Sequence, residues 1–397
     1  MAGAEYRKGA AAAIAAVLLG ACGSASPAEE RAERAANGTG DVVVAVVWPW
    51  KAHPEVRYGD GLQLAVDEVN AAGGVNGRRM RLLREDDHES VNQGLLVAQG
   101  LAENPDVVAV IGHLQSYVSV PASAVYDAAG LVMLSPASTD PALTSKGHTR
   151  TFRSTFTDGD TGEQMADYAR AHGYKRIAIY YVRNPYGRAL ANAFEERAAE
   201  IGLSIVARAS HDPAMDTRGQ ATETTLRDWE RMELDAIFLA GQVPAAGQMI
   251  AQMRGHGIEA PILGGDAMST PALMRAGGAA VEGTVVAASF HAGEARPEVQ
   301  RFVAAFRKRF DAAPDPSAAS GYDAVKLLAE AMRRARTSAP DAVARELHAL
   351  RAWKGVKGEF TFDEQGNLTA PHLVKLQVRG GEFHSVASGP LALNPQN

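Results

Sequence analysis

A chain of 397 residues, 46% hydrophobic and 22% charged, has the composition of a globular protein and not of a disordered one. At roughly 100–200 residues per domain it holds two or three domains. The formal net charge of −6 comes with both signs interspersed, so no block of like charge offers a nucleic-acid surface, and the solitary cysteine excludes intrachain disulfides and cysteine-based zinc sites.

Residues 1–22 read as a targeting segment. Arg7 and Lys8 form a positive start, and the uncharged run from Ala10 to Leu19 is too short for a transmembrane helix, which needs ~20 residues. The run ends in Leu18-Leu19-Gly20-Ala21-Cys22, which resembles a bacterial lipobox, where the cysteine is lipidated and becomes the new N-terminus. The plainer alternative is a secretory signal with a chance cysteine. Residues 23–40, rich in Ala, Ser, Glu, Arg and Gly, show no apolar period and are expected to form a flexible tether, or at most a short exposed helix across 28–36.

From Asp41 onward, strand-like runs alternate with helix-like ones. Val42–Val47 is a continuous apolar, β-branched run, the pattern of a strand buried on both faces. Leu62, Ala65, Val66 and Val69 follow at helical spacing, and Gly73-Gly74 stops that helix. Strands are predicted at Met80–Leu83, Val107–Ile111 and Leu131–Leu134, with helices beginning at Val91 and spanning Val118–Ala129. The pattern then restarts. Helix Gly162–Ala171 precedes strand Arg176–Val182, and Leu190, Phe194, Ala198 and Ile201 mark the next helix. Strands Leu203–Ala207, Asp235–Ala240, Pro261–Leu263 and Gly283–Ala287 follow, with Met249, Ile250 and Met253 lining a helix between them. Helices at Pro297–Phe310 and Tyr322–Met332 lead into a β-rich stretch, Gly355–Phe383. Such alternation implies βαβ units and parallel sheets, here two successive α/β blocks and a return.

In open parallel sheets ligands sit beyond the carboxyl ends of the strands, so the loops after strands carry the candidates. Gly112-His113-Leu114-Gln115-Ser116 joins a buried strand to a helix; its backbone N–H groups and the Ser116 hydroxyl suit an anion, unless Ser116 only caps its own helix. Ser135-Pro136-Ala137-Ser138-Thr139 is stiffened by proline and rich in hydroxyls, and Thr139 can donate both N–H and O–H to a carboxylate; the bland alternative is an ordinary proline turn. Asp266, after Gly264-Gly265, can hold an ammonium group or cap the next helix. Trp48, Trp50, Tyr58 and Tyr186 can wall an apolar side chain or simply pack the core. Nucleophile-elbow, Walker, dinucleotide-fingerprint and His-Glu-x-x-His signatures are missing, so the reading is of a binding protein and not an enzyme, with no cofactor and no metal. Asp86-Asp87-His88-Glu89 reads as a strand-end and helix-cap arrangement and not as a metal site.

Tyr58-Gly59-Asp60 through Gly73-Gly74-Val75-Asn76-Gly77, Ile111-Gly112-His113-Leu114 with Ser116, Ser135-Pro136-Ala137-Ser138-Thr139, Tyr186-Gly187, and Phe362-Asp363 with Gly366 form an ordered set. In that order and spacing they resemble the branched-chain amino-acid (leucine/isoleucine/valine) binding proteins of bacterial ABC importers. The resemblance covers essentially the whole mature chain. It implies a type I periplasmic binding protein: α/β, two doubly wound parallel-sheet lobes joined by three crossovers. On that plan the first lobe takes residues 41–156 with 288–368 and the second 157–287 with 369–397. The resemblance implies that Ser116 and Thr139 hold the ligand carboxylate, that Ala137, with Ser138 beside it, helps to hold the ammonium, and that Asp266 stands where the family has a Glu. Tyr58 and Tyr186 match its cleft aromatics. It also implies an extracytoplasmic monomer that serves a membrane permease and ATPase, and the lipobox adds the expectation of a lipid anchor through Cys22.

The departures from the family bear on the ligand. The archetype has a cysteine pair near the first-lobe cleft, at places that Glu89 and Gln115 take here. Gln242 stands in place of an aromatic, and the Trp48-Pro49-Trp50 loop is bulkier. Leucine, isoleucine or valine is therefore not assumed, and an uncharged amide, a urea derivative or a small aromatic ligand stays open. So does a sensory role beside a separate membrane signalling partner.

Overall fold

The computed structural model describes residues 25–54, 56–212 and 219–386; the expected targeting segment and Cys22 lie outside them. The described chain opens on helix α1 (Pro27–Asn37), where a flexible tether was expected. Ser26 and Glu29 form a capping box, Pro27 sits in the first turn, and Gly38 ends the helix in the left-handed region at φ 63°. Nor is the helix merely exposed. Its anchor is polar: Arg31, 1% exposed, donates to the carbonyls of Val107 (2.6 Å), Ala129 (2.9 Å), Ala102 (2.9 Å) and Asn104 (3.3 Å).

The first α/β block runs through β1 (Val42–Val47), α2 (Tyr58–Ala71), β2 (Met80–Glu85), α3 (Val91–Glu103), β3 (Val107–Ile111), α4 (Ser116–Ala128), β4 (Val132–Ser135) and β5 (Thr151–Arg153). Its five strands are all parallel, in the order β2-β1-β3-β4-β5. All of β1 is buried, and its side chains alternate between two cores. Val42, Val44 and Val46 pack with α2, and Val43, Ala45 and Val47 with α3 and α4. A strand covered on both faces has no polar face, which is why its sequence does not alternate.

The second block runs through α5 (Asp158–Ala171), β6 (Arg176–Val182), α6 (Pro185–Glu200), β7 (Ser204–His211), α7 (Gln220–Glu230), β8 (Ala236–Ala240), α8 (Ala245–Gly255), β9 (Ile262–Gly264), α9 (Ala272–Gly277) and β10 (Val285–Ala288). The chain then returns to the first core with α10 (Pro297–Phe310), α11 (Pro316–Ala335), α12 (Pro340–Ala349) and the short pair β11 (Trp353–Gly355) and β12 (Gly358–Phe360). It finishes in the second sheet with β13 (Val374–Arg379) and β14 (Glu382–Val386), which pair antiparallel beside β10. The seven-stranded order is β14-β13-β10-β9-β8-β6-β7. The chain thus passes between sheets after β5, after β10 and after β12, giving two doubly wound lobes and three crossovers. In each lobe the parallel strands follow one order, and its direction reverses between β1 and β3 and between β6 and β8. Ligand crevices open at such switch points.

Candidate functional site

The two switch points face each other across a cavity of about 560 Å³, inside the ~300–1,000 Å³ range of small-molecule sites. Loops after β1, β2, β3 and β4 line it from the first lobe, and loops after β6, β8 and β9 line it from the second. Trp48, Ser116, Ala137, Thr139, Tyr186, Gln242 and Asp266 all stand on this lining.

Tyr58, Trp50 and Ser138 do not, and each has a physical reason. Tyr58 is fully buried as the first residue of α2 and stacks behind Trp48, ring centroids 3.9 Å apart. Trp50 turns away: its indole N–H donates to the Glu85 carbonyl (2.8 Å), and its ring lies against the Arg84 guanidinium. Ser138 is fully buried, with its hydroxyl bonded to that of Ser119 and its N–H donating to Ser135 Oγ (3.1 Å). It ties the two candidate anchor loops together behind the cavity.

The loop after β3 is held from below. A Cβ at Gly112 would lie 2.5 Å from the Val47 carbonyl oxygen, so only glycine lets this loop lie against β1. His113 is buried between Asp87 Oδ2 (2.7 Å) and Tyr126 Oη (3.1 Å), a structural role. Gln115, and not Ser116, is the N-cap of α4; Ser116 opens the helix, and its hydroxyl accepts from Asp140 N–H at 3.4 Å. The loop after β4 is fixed by Arg153, fully buried, which donates to the carbonyls of Ser138 and Asp140 (both 2.8 Å) and to Thr144 Oγ1 (3.1 Å). Lys357, also buried, joins this loop to the first crossover through the carbonyls of Pro136 (3.4 Å) and Ser154 (3.0 Å). Burial lowers its pKa to about 8, against the attraction of Asp323 and Asp266.

On the facing lobe, Tyr186 Oη donates to Asp266 Oδ1 (3.2 Å). A Cβ at Gly265 would lie 2.4 Å from that phenol oxygen, so glycine is what admits the contact. Asp266 does not cap α9, whose N-cap is Pro271. Burial pushes its pKa up to about 6. Asp158, buried behind the cavity, lies well above the ordinary carboxylate range, chiefly through burial and against a hydrogen bond from Thr139 that lowers it. Asp266 is among the charges that raise it further. The cavity lining therefore carries one half-buried carboxylate, Asp266, with the buried Asp158 carboxyl behind it.

The periplasmic binding protein family matches residues 52–382. The chain belongs to that family. A Leu/Ile/Val-binding protein homolog from Brucella suis is 30% identical over 351 residues, 86% of this chain and 91% of its own length. An ABC transporter substrate-binding protein from Desulfitobacterium hafniense, solved in complex with Leu, is 36% identical with a TM-score of 0.79, covering 87% of this chain and 100% of that one. A leucine binding protein from Thermotoga maritima is 26% identical with the same TM-score, covering 87% and 98%. The family consists of solute-binding proteins and not enzymes, and membership puts this periplasmic binding protein outside the cytoplasm.

Several lining residues were not read from the sequence. Thr155 and Phe156 come from the first crossover, Ser289 from the second, and Ser317 and Ser320 from the start of α11. Asp158 stands in the segment Thr157-Asp158-Gly159-Asp160, whose hydroxyl and carboxylates signal a helix start, and Thr157 with Asp160 does form the capping box. That signal locates α5 but not the buried carboxylate beside it. Glu89 and Gln115, read as a strand-end polar residue and a loop residue standing where the family has a cysteine pair, are joined by a hydrogen bond of 2.7 Å from Gln115 Nε2 to Glu89 Oε1.

Proposed function

We propose that this periplasmic binding protein captures an α-amino acid between its lobes and delivers it to the permease of an ABC importer driven by a separate ATPase. The observation that carries this reading is the pairing, across one cavity, of the Ser116 and Thr139 hydroxyls beyond β3 and β4 with the half-buried carboxylate of Asp266. Ser116 and Thr139 take the ligand carboxylate, the Ala137 carbonyl accepts from the ammonium, and Asp266, oriented by Tyr186, supplies the opposite charge. Trp48 walls the side chain, next to Gln242. A ligand held from both lobes binds the closed state more tightly than the open one, and that difference drives closure. The names of the Brucella suis relative and of the leucine-bound Desulfitobacterium hafniense structure support an amino-acid ligand. We also assign Cys22 as a lipidated N-terminus that holds a monomeric receptor at the membrane surface.

The test is a thermal-shift screen against the standard amino acids, amides and small aromatic acids, followed by calorimetry on the best ligand. Ser116→Ala combined with Thr139→Ala is expected to weaken that ligand by roughly 10²–10⁴-fold, since each hydroxyl bond to a carboxylate is worth ~1.5–3 kcal/mol. A folded double variant with near-wild-type affinity would remove the carboxylate assignment.

A further inference from the structure

Five polar side chains form one hydrogen-bonded row along the cavity wall. Asn184 Nδ2 donates to Gln242 Oε1 (2.8 Å), Gln242 Nε2 to Gln115 Oε1 (3.1 Å) and Gln115 Nε2 to Glu89 Oε1 (2.7 Å). His53 Nε2 lies 2.8 Å from the same Glu89 oxygen. Asn184 and Gln242 follow β6 and β8, whereas Gln115, Glu89 and His53 follow β3, β2 and β1. The row therefore links the two switch points, and its Gln242–Gln115 bond passes from lobe to lobe.

The amide orientations are determined at both ends. Asn184 Oδ1 already accepts from Gly187 N–H (2.9 Å), so its nitrogen faces Gln242. Glu89, as a carboxylate, only accepts, so the nitrogen of Gln115 must face it. Every amide donor thus points toward Glu89, and the row polarises in one direction. His53 and Gln115 also hold the Glu89 carboxyl below its usual range, which keeps it ionised.

All of this reaches Oε1. The second oxygen, Oε2, accepts no hydrogen bond from the described residues, and Glu89 stands on the cavity lining with its side chain 30% exposed. Gln115 is the neighbour of Ser116, so the row passes one residue from the proposed carboxylate anchor. Trp48, Val56, Leu114 and Val243 supply apolar surface on the same lining. That combination suits an amphipathic side chain, with its stem on the apolar surface and its tip at Glu89. A branched aliphatic side chain would displace water from an ionised oxygen and give nothing back.

Resting on the amino-acid reading of the site, we propose that the ligand is an α-amino acid whose side chain ends in N–H donors received by Glu89 Oε2. The groups that fit are a carboxamide, a guanidinium or an ammonium. Glu89 is on this account a specificity-determining residue, and the amide row holds it in place while joining the lobes.

The experiment is calorimetry on wild type and Glu89→Gln with glutamine, asparagine, arginine, lysine, leucine, isoleucine and valine. The melting temperature of each unliganded protein reports the fold. The substitution keeps shape and an acceptor but removes the charge. A donor-bearing amino acid is expected to bind wild type most tightly and to weaken by about 10- to 100-fold in the variant, the range of a bond to a charged group. Leucine is expected to change by less than about threefold. If leucine, isoleucine or valine binds wild type most tightly, or if Glu89→Gln weakens every ligand equally, the inference falls and the amino-acid reading stands. If none of these amino acids binds wild type, this inference falls, and the amino-acid reading falls with it if no other standard amino acid binds in the thermal-shift screen.

Discussion

Burial raises the Asp266 carboxyl from 3.8 to about 6, and this has a sign that can be followed. Between those values the folded chain keeps a proton that the unfolded chain has released. The stability of the empty protein therefore falls as pH rises from about 4 to about 6 and then levels off. A ligand ammonium beside the ionised carboxylate reverses that penalty, so affinity for a zwitterion rises over the same interval. Calorimetry at pH 5 is expected to give a Kd roughly tenfold weaker than at pH 7.5, because about one charge state in ten remains available one unit below the pKa. Asp266→Asn is expected to flatten this dependence and to cost ~2–5 kcal/mol at pH 7.5, since the ligand's charge is left unpaired. Equal zwitterion affinity in both proteins would return Asp266 to a structural role as the partner of Tyr186. At this scale the sequence was legible in placing residues of the connections that follow strands on the cavity lining, as for Ser116, Thr139 and Asp266. It was not legible where the path of the loop decides which side a residue faces. Trp48 lines the cavity while Tyr58, stacked on it, is hidden behind, and Thr139 lines it while Ser138 points into the packing.

Helix α1 illustrates what pattern reading misses at the scale of elements. Periodicity detects apolar stripes, and the strands rich in Val and Ile were located on that basis: β1, β3 and β6 begin and end where the sequence placed them. Short or weakly apolar elements escaped, among them β5, three residues long, together with α7 and α12. In α1 the docking surface is a single guanidinium, invisible to hydropathy, although Ser26-Pro27-Ala28-Glu29 already carries a capping-box signature with proline in the first turn. Arg31 fastens α1 to the carbonyls at the start of β3 and at the ends of α3 and α4, all in the first lobe. Arg31→Ala removes charge-assisted bonds and leaves the buried Val107 carbonyl short of a donor. It is expected to destabilise the protein by about 2–4 kcal/mol in chemical denaturation, with ligand affinity unchanged because the cavity lies beyond the opposite ends of the strands. A loss within 0.5 kcal/mol would mean that water replaces the guanidinium without cost.

For the molecule as a whole, the docked helix changes what a membrane anchor at Cys22 would do. A flexible tether of residues 23–40 would let both lobes range freely over the membrane. With α1 fastened, residues 23–26 are all that separate Cys22 from Pro27, a span of at most roughly 18 Å at full extension. The edge of the first lobe where its β-strands begin is then held near the lipid, while the cavity opens at the opposite ends of the same strands. In this arrangement the first lobe is the stationary one, and closure brings the second lobe to it. An anchor at Cys22 would add location without touching the site, so the two separate in a single experiment. Cys22→Ser, expressed in a bacterium with lipoprotein processing, is expected to move the protein from the membrane pellet to the soluble extracytoplasmic fraction, because the several acyl chains of a lipoprotein cysteine hold where one chain is marginal. Its Kd for the screened ligand is expected to match that of wild type. A wild type already fully soluble on fractionation removes the anchor, and an altered Kd in the variant means that the N-terminal segment reaches the cleft after all.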